Sequence, residues 1–431
     1  MSIVSKISRL GLAVVVALAA GACDIFDVDN PGQIRDEDLN TRTGVDPLVV
    51  GMSGDFSEEY DGIAFLVARA TDEMVGSGSY STTGEFRTGV IRREFTDGVW
   101  EGVSRARWVA ENGLERIREI LGDEFDTDER VARAYLFAGL ANRVIAENFC
   151  EMTIDGGPFV ARAEVAQRGD GHLVNAIAQA QRVGRSDIET AAIGGRAQLA
   201  VVRNDWAAAA SFAAQVPTDF EFDAIYSSNS GREENEMYNE TWGRPEMSAF
   251  MTLADVAGDV RTPWTDCRLP GAGCPGGDVG ADGSTPHLRQ DKYPESGADI
   301  PAVKGTEMRL IEAEAALRSG DLGTFNDKIN EVRDFYGLPN ITATSLGSGV
   351  TGDINSMTAW DVLDRERHLT LWLEGRRMFD LRRWGHPFLN GGGIVYEGVA
   401  QRMDCIPLSE SECSSNTNIS CDDPAPVGPN G

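Results

Sequence analysis

No apolar run in this 431-residue chain reaches the roughly 18 residues that would carry a helix across a bilayer. Positive charge is also scarce. Thirty-nine Lys and Arg stand against 68 Asp and Glu, for a formal net charge of −29. A surface this acidic repels phosphate backbones and excludes nucleic acid as a primary partner. There are only four histidines and no C-x-x-C pair, so zinc-ligand spacing is missing. G-x-S-x-G, H-E-x-x-H and the P-loop are absent too. No catalytic residue, metal or cofactor is assigned, and the chain reads as a non-enzyme. What is abundant is glycine, 48 residues, which points to many loops. With 42% apolar and 25% charged residues, the composition suits a folded chain with a sizeable core.

The amino terminus carries an address. Lys6 and Arg9 precede an apolar run over residues 10–22 that ends in small residues, the pattern of a signal peptide over 1–22. Ala20-Gly21-Ala22 stands directly before Cys23, as in the bacterial lipobox, so Cys23 is expected to be lipidated with palmitate-class chains. Two or three acyl chains anchor a protein stably. Residues 23–45 are acidic and polar and read as a tether, leaving 46–431 as a single domain. Asp27-x-Asp29 is not a calcium loop, because Pro31 takes a ligand position and position twelve is Asp38 rather than Glu.

Six further cysteines outside the cytoplasm suggest disulfides. Cys267 and Cys274 flank a Pro/Gly-rich loop and can close locally. Cys405, Cys413 and Cys421 lie in the tail, and one of them can reach Cys150.

Helical periodicity dominates the rest. Trp108, Val109, Leu114, Ile117, Ile120 and Leu121 form one stripe; Val131, Tyr135, Leu136, Leu140, Val144 and Ile145 form another. Gly122 ends the first helix, and the 126–128 segment can cap the second. Two more helix-turn-helix units share an Asn/Gly-Asp turn, at Asn204-Asp205 and Gly320-Asp321. Their small-residue helices resemble tetratricopeptide repeats, although 116 positions separate them. The expected fold is therefore mainly α: irregular tetratricopeptide-like pairs forming a scaffold, with long loop excursions and little β-structure. The excursions are residues 74–100 and 218–301, and 386–431 is an irregular Cys-containing tail.

Three segments together resemble the SusD/RagB family of nutrient-binding lipoproteins. The first is Cys23-Asp-Ile-Phe-Asp-Val-Asp-Asn-Pro31. The second runs from Lys292-Tyr293 through Asp299-Ile-Pro-Ala-Val-Lys304, the 307–317 helix, Ile329-Asn-Glu-Val-Arg333 and Gly337-Leu-Pro339. The third is the charged block 365–385, with Glu374-Gly-Arg-Arg377 and Asp380-Leu-Arg-Arg-Trp384. Lys304 stands where the family commonly has arginine, Thr370 where it often has glutamate, and the Cys-rich tail is unusual. The resemblance implies a surface lipoprotein of the outer membrane that captures an oligosaccharide, or in some members a peptide. It further implies delivery to a SusC-like TonB-dependent outer-membrane transporter.

In the block 365–384, the arginines 376, 377, 382 and 383 are read as structural, paired with Glu366, Glu374 and Asp380 while Trp372, Phe379 and Trp384 pack inward. Gly375 allows the sharp backbone change where two helices meet. Asp72-Glu73 with Asp97 is rejected as a glycosidase pair, which needs carboxyls ~5–10 Å apart. The ligand-binding candidates are aromatic and polar residues of the excursions: Tyr80, Arg87, Tyr226, Tyr238, Asn239, Trp242 and Arg244. Aromatic rings stack on the C–H face of a sugar, and the polar groups take its hydroxyls. Trp108 and Trp206, on periodic faces, are assigned to the core. A secreted glycoside hydrolase and a tetratricopeptide-like adaptor are the rival readings. They require a deep two-carboxyl pocket and inward-facing aromatics, respectively.

Overall fold

The computed structural model describes residues 36–391 and 401–422; the signal peptide over 1–22 and the lipidation candidate Cys23 lie outside the described residues. Val49, Met52, Phe56, Tyr60 and Ile63, at three- and four-residue spacing, bury one face of α1 (Val45–Ala70). Beyond Ile63 this helix is buried all round, as the central element of the core. α2 is short (Ser81–Thr88). α3 (Asp97–Leu121) packs on α1 and, through a turn at Gly122, on α4 (Glu129–Asn148), whose first turn is capped by the Asp128 carboxylate accepting from the Arg130 amide. α5 (Arg162–Val183), α6 (Ser186–Val202) and α7 (Trp206–Ala213) continue the series, each against its predecessor. α4 and α5 approach closely because Gly139 and Gly169 face each other: a Cβ on Gly169 would lie 3.1 Å from the Gly139 carbonyl.

α8 (Gly305–Ser319) then packs on α7, and α9 (Leu322–Phe335) folds back on α8. The two tetratricopeptide-like units, distant in sequence, are thus neighbours in space. Their turns are built alike. Asn204 and Gly320 take left-handed conformations (φ +57° and +81°), and Asp205 and Asp321 then cap the following helices. Trp206 sits at the junction, half-buried rather than in the core. Its indole N–H donates to Asn204, and Arg318 of α8 lies 4.3 Å above its ring. Trp108 also departs from expectation. It is 50% exposed, because the inward stripe of α3 runs through Val103, Arg107, Ala110, Leu114 and Ile117 instead.

The 218–301 excursion leaves between α7 and α8, and its ends pair. β2 (Glu221–Ala224) runs antiparallel to β6 (Ile300–Lys304). Within it β4 (Trp264–Asp266) pairs with β5 (Leu288–Gln290), and β3 (Met247–Ser248) pairs with β1 (Val75–Gly76) of the other excursion. Among the described residues these ribbons are all two-stranded, so the fold is mainly helical. The tail packs inward: residues 402–409 are buried, Ile406 exchanges backbone hydrogen bonds with Asn148 and Cys150, and Glu410–Ser415 forms a short helix, α12. Disulfides join Cys150 to Cys405, Cys267 to Cys274 and Cys413 to Cys421.

α10 (Ala359–Thr370) and α11 (Arg377–Trp384) flank a turn with Leu373 at φ +61° and Gly375 at φ +70°. The charges of this block are structural, but their partners differ from those expected. Arg376 pairs with Glu147 and Glu307, and Arg377 grips Asp72 (2.6 Å) and Asp364. Arg382 donates to backbone carbonyls of Glu147 and Asp404. Of these arginines only Arg383 meets Asp380, at 2.7 Å, with Glu314 as its second partner. Glu366 instead takes Arg261 and Arg333, both at 2.7 Å. Glu374 takes Lys292 (2.6 Å) and Lys304 (2.5 Å); burial would raise its carboxyl, but the two ammonium groups hold it below the ordinary glutamate value. The Lys304 ammonium also donates to the Thr370 backbone carbonyl at 2.7 Å.

Trp372 is fully buried, its indole N–H donating to the Glu73 carbonyl at 3.2 Å, whereas Trp384 is half-buried against Glu314. Trp372→Ala should therefore cost about 3–5 kcal/mol of stability by denaturant unfolding, the cost of removing a large aromatic from a packed core. Glu73 accepts from the Leu373 amide through one oxygen while the other has no partner, and burial pushes its carboxyl up to about 8. A carboxyl raised on folding stabilises the fold below its unfolded value near 4.5, and that contribution is lost as pH rises towards 8. Glu73→Gln should flatten the decline in melting temperature between these values; an unchanged pH profile would count against a neutral Glu73.

Candidate functional site

The two excursions fold into one surface. Beyond the β1–β3 pairing, the Ser77 amide and hydroxyl donate to the Glu246 and Pro245 carbonyls (2.9 and 2.8 Å), and the Thr83 hydroxyl donates to the buried Glu246 carboxylate (3.0 Å). The contact demands glycine at 78, where a Cβ would fall 1.7 Å from a Glu246 oxygen. Tyr80, at the start of α2, is 43% exposed, and the Arg244 guanidinium lies 4.0 Å from its ring centroid. Arg244 is anchored to Glu246 at 3.2 Å. Burying Glu246 beneath Arg244 fixes the height of the guanidinium over Tyr80.

Tyr238 and Trp242 sit one turn apart on a helical turn opened by Asn235, whose side chain accepts from the Tyr238 amide. Their rings lie 5.6 Å apart and 27° from parallel, both half-buried. The Trp242 indole N–H donates to the Gln290 carbonyl at 2.9 Å, and Arg289 covers one ring face at 3.5 Å. Asn239 donates to Glu234 at 3.1 Å, which orients its amide, and Arg87 is exposed on α2. All seven candidate residues lie on the two interlocked excursions, and six of them are exposed or half-buried, with Tyr80, Tyr238, Trp242 and Arg244 joined by ring contacts and short chain connections. Beneath them, burial pushes the Glu240 carboxyl up to about 7, aided by Glu236 and Glu246 and opposed by Arg69.

Tyr226 is the exception. It is 6% exposed, and its hydroxyl donates to the Ser57 carbonyl at 2.7 Å, so it is buried against α1 and withdrawn from the surface that the other candidates share. The carboxylates of the rejected pair are engaged by different partners. Asp72 is held by Arg377, well below the usual aspartate range despite its burial, and Asp97 accepts from the Ser411 amide in the tail. Sequence reasoning missed Arg289 because nothing local marks it; only the β4–β5 ribbon brings it over Trp242. It also missed a groove of about 500 Å³ lined by Trp108.

Residues 288–418 match the SusD family. The match begins at β5 and takes in the buried ion-pair block and the tail as far as residue 418, between Cys413 and Cys421. Three solved structures share the fold. A SusD homolog from Bacteroides thetaiotaomicron VPI-5482 is 15% identical, with 90% of this chain and 98% of that one covered and a TM-score of 0.64. A SusD/RagB family protein from the same organism is 15% identical, with 86% and 94% covered and a TM-score of 0.61. A SusD-like carbohydrate-binding protein from Bacteroides vulgatus ATCC 8482 is 14% identical, with 79% and 83% covered and a TM-score of 0.55. No curated protein matches the sequence.

Proposed function

We propose that this chain, a member of the SusD/RagB family through residues 288–418, is a lipid-anchored cell-surface protein that captures an oligosaccharide and passes it to a SusC-like TonB-dependent transporter of the outer membrane. The observation that carries this reading is the convergence of the two excursions on one surface, where Tyr80, Tyr238 and Trp242 stand among Arg87, Asn239 and Arg244. Flat rings with polar neighbours bind a sugar without making or breaking a bond. Kinship in fold with a carbohydrate-binding protein supports the ligand class. Anchoring follows from the Cys23 lipobox; among the described residues no helix is long and apolar enough to cross a membrane. The acidic surface disfavours polyanionic cargo.

Isothermal titration against neutral oligosaccharides and peptides tests the ligand class. One saccharide series should bind, and Tyr80→Ala or Trp242→Ala should each weaken it by about 1 kcal/mol, roughly fivefold, with unfolding unchanged. Binding confined to peptides would move the protein to the peptide-capturing members, and turnover of the bound sugar would favour the hydrolase. Metabolic labelling with palmitate should mark the wild-type chain and not Cys23→Ser; an unlabelled wild type would remove the anchor.

A further inference from the structure

We infer that the groove between α3, the 153–156 turn and α12 is a second saccharide site, with Trp108 as its platform. The groove is open-sided and offers about 500 Å³, within the size range of small-ligand sites. Its lining includes none of Tyr80, Arg87, Tyr238, Asn239, Trp242 and Arg244, and it meets the 74–100 excursion only at Asp97 and Trp100, where that segment enters α3. Trp108 is half exposed there, and Trp100 behind it is buried edge-on to Phe149 (centroids 5.0 Å, 69°), which makes a firm floor.

The walls are held from several sides. Arg107 is 3% exposed and pairs with Glu111 (3.0 Å) and Asp155 (2.5 Å), while its Nε has no partner. This pairing fixes Asp155 in a left-handed conformation, φ +52°, that a non-glycine residue adopts at a cost. From the tail, the Ser411 amide donates to Asp97 (2.9 Å), the Thr153 hydroxyl donates to Glu412 (2.8 Å), and the Asn416 and Asn418 amides donate to the Gly157 and Gly156 carbonyls (2.8 Å each). The Cys413–Cys421 disulfide closes the same segment. A groove so fixed is pre-organised, which lowers the entropy cost of binding.

Its chemistry selects the ligand. The lining cations are already engaged: Arg107 as above, and Arg105 by Glu58 (3.0 Å) and Glu59 (2.9 Å). Glu101 makes no ion pair among the described residues, and Asp97, Glu412 and the hydroxyls of Ser104 and Ser415 complete a rim rich in acceptors. One exposed indole with a ring of carboxylates and hydroxyls suits a neutral pyranose, whose C–H face stacks while its hydroxyls donate. Anionic sugars meet unneutralised carboxylates and are refused.

This inference shares the saccharide class with the proposed function and none of its residues, so the two can be separated. Full-length chain, its Trp108→Ala variant, the Tyr80→Ala/Trp242→Ala double variant and the triple variant are titrated with maltose, cellobiose and lactose, read by saturation-transfer NMR. The double variant should retain binding of at least one of these sugars, and adding Trp108→Ala should weaken that residual binding roughly fivefold or more without shifting the melting temperature. Residual binding indifferent to Trp108, or none in the double variant, overturns the second site and leaves the excursion surface standing. Binding lost with Trp108 alone and untouched by the double variant supports the groove and overturns the excursion surface. Silence of the wild type towards all three sugars overturns the groove; peptide binding by that wild type would place the excursion surface among the peptide-capturing members.

Discussion

The buried layer of ion pairs around residues 365–383 is the constraint on which the rest of the structure depends. Each charge taken from water costs several kcal/mol, and the cost is recovered only by close, well-aligned partners. Arg377 spans Asp72 and Asp364, Arg367 grips Asp380 through two hydrogen bonds, and Arg383 joins Asp380 to Glu314. Asp72 and Glu314 come from segments far from the block in sequence, so the layer is satisfied in one arrangement and penalises others. Tyr60 extends it into the central helix, its hydroxyl donating to the Glu374 carbonyl. Lys304 ties two parts of the layer together, its ammonium donating both to the Thr370 backbone carbonyl and to Glu374.

That rigidity permits long, irregular loops. The 218–301 excursion is extruded between two helices that remain packed on one another, and β2 and β6 close its base. Its far end is tied to the 74–100 excursion through the β1–β3 ribbon and Glu246. Loop sequence can vary there without disturbing the helical pairs, whose contacts lie elsewhere. Stacked guanidinium groups, Arg244 on Tyr80 and Arg289 on Trp242, leave the aromatic rings ordered at the surface.

Much of the scaffold was legible because helix signals are local. The stripes at 103–121 and 128–145, the Gly122 terminus, the Asp128 cap and the Asn204-Asp205 and Gly320-Asp321 turns all act over a few residues. Where local reading failed, direction was the cause. Trp108 lies at the margin of its stripe, and Tyr226 lies in a polar loop; neither position says which neighbour will cover it. Ion-pair partners failed for the same reason. Opposite charges abound in the block, and proximity in sequence paired Arg376 with the wrong carboxylates.

The sequence by itself determined the helical class, the structural role of the charged block and the residues of the two excursions, because each is written in spacing or residue type along a short stretch. Only the tertiary structure decided that the excursions share a surface, that Tyr226 is buried, that the distant repeat-like units are neighbours, and that Trp108 opens onto a groove closed by the tail. Those outcomes depend on which surfaces exclude water together, and that is settled by long-range packing and disulfide closure rather than by any local preference.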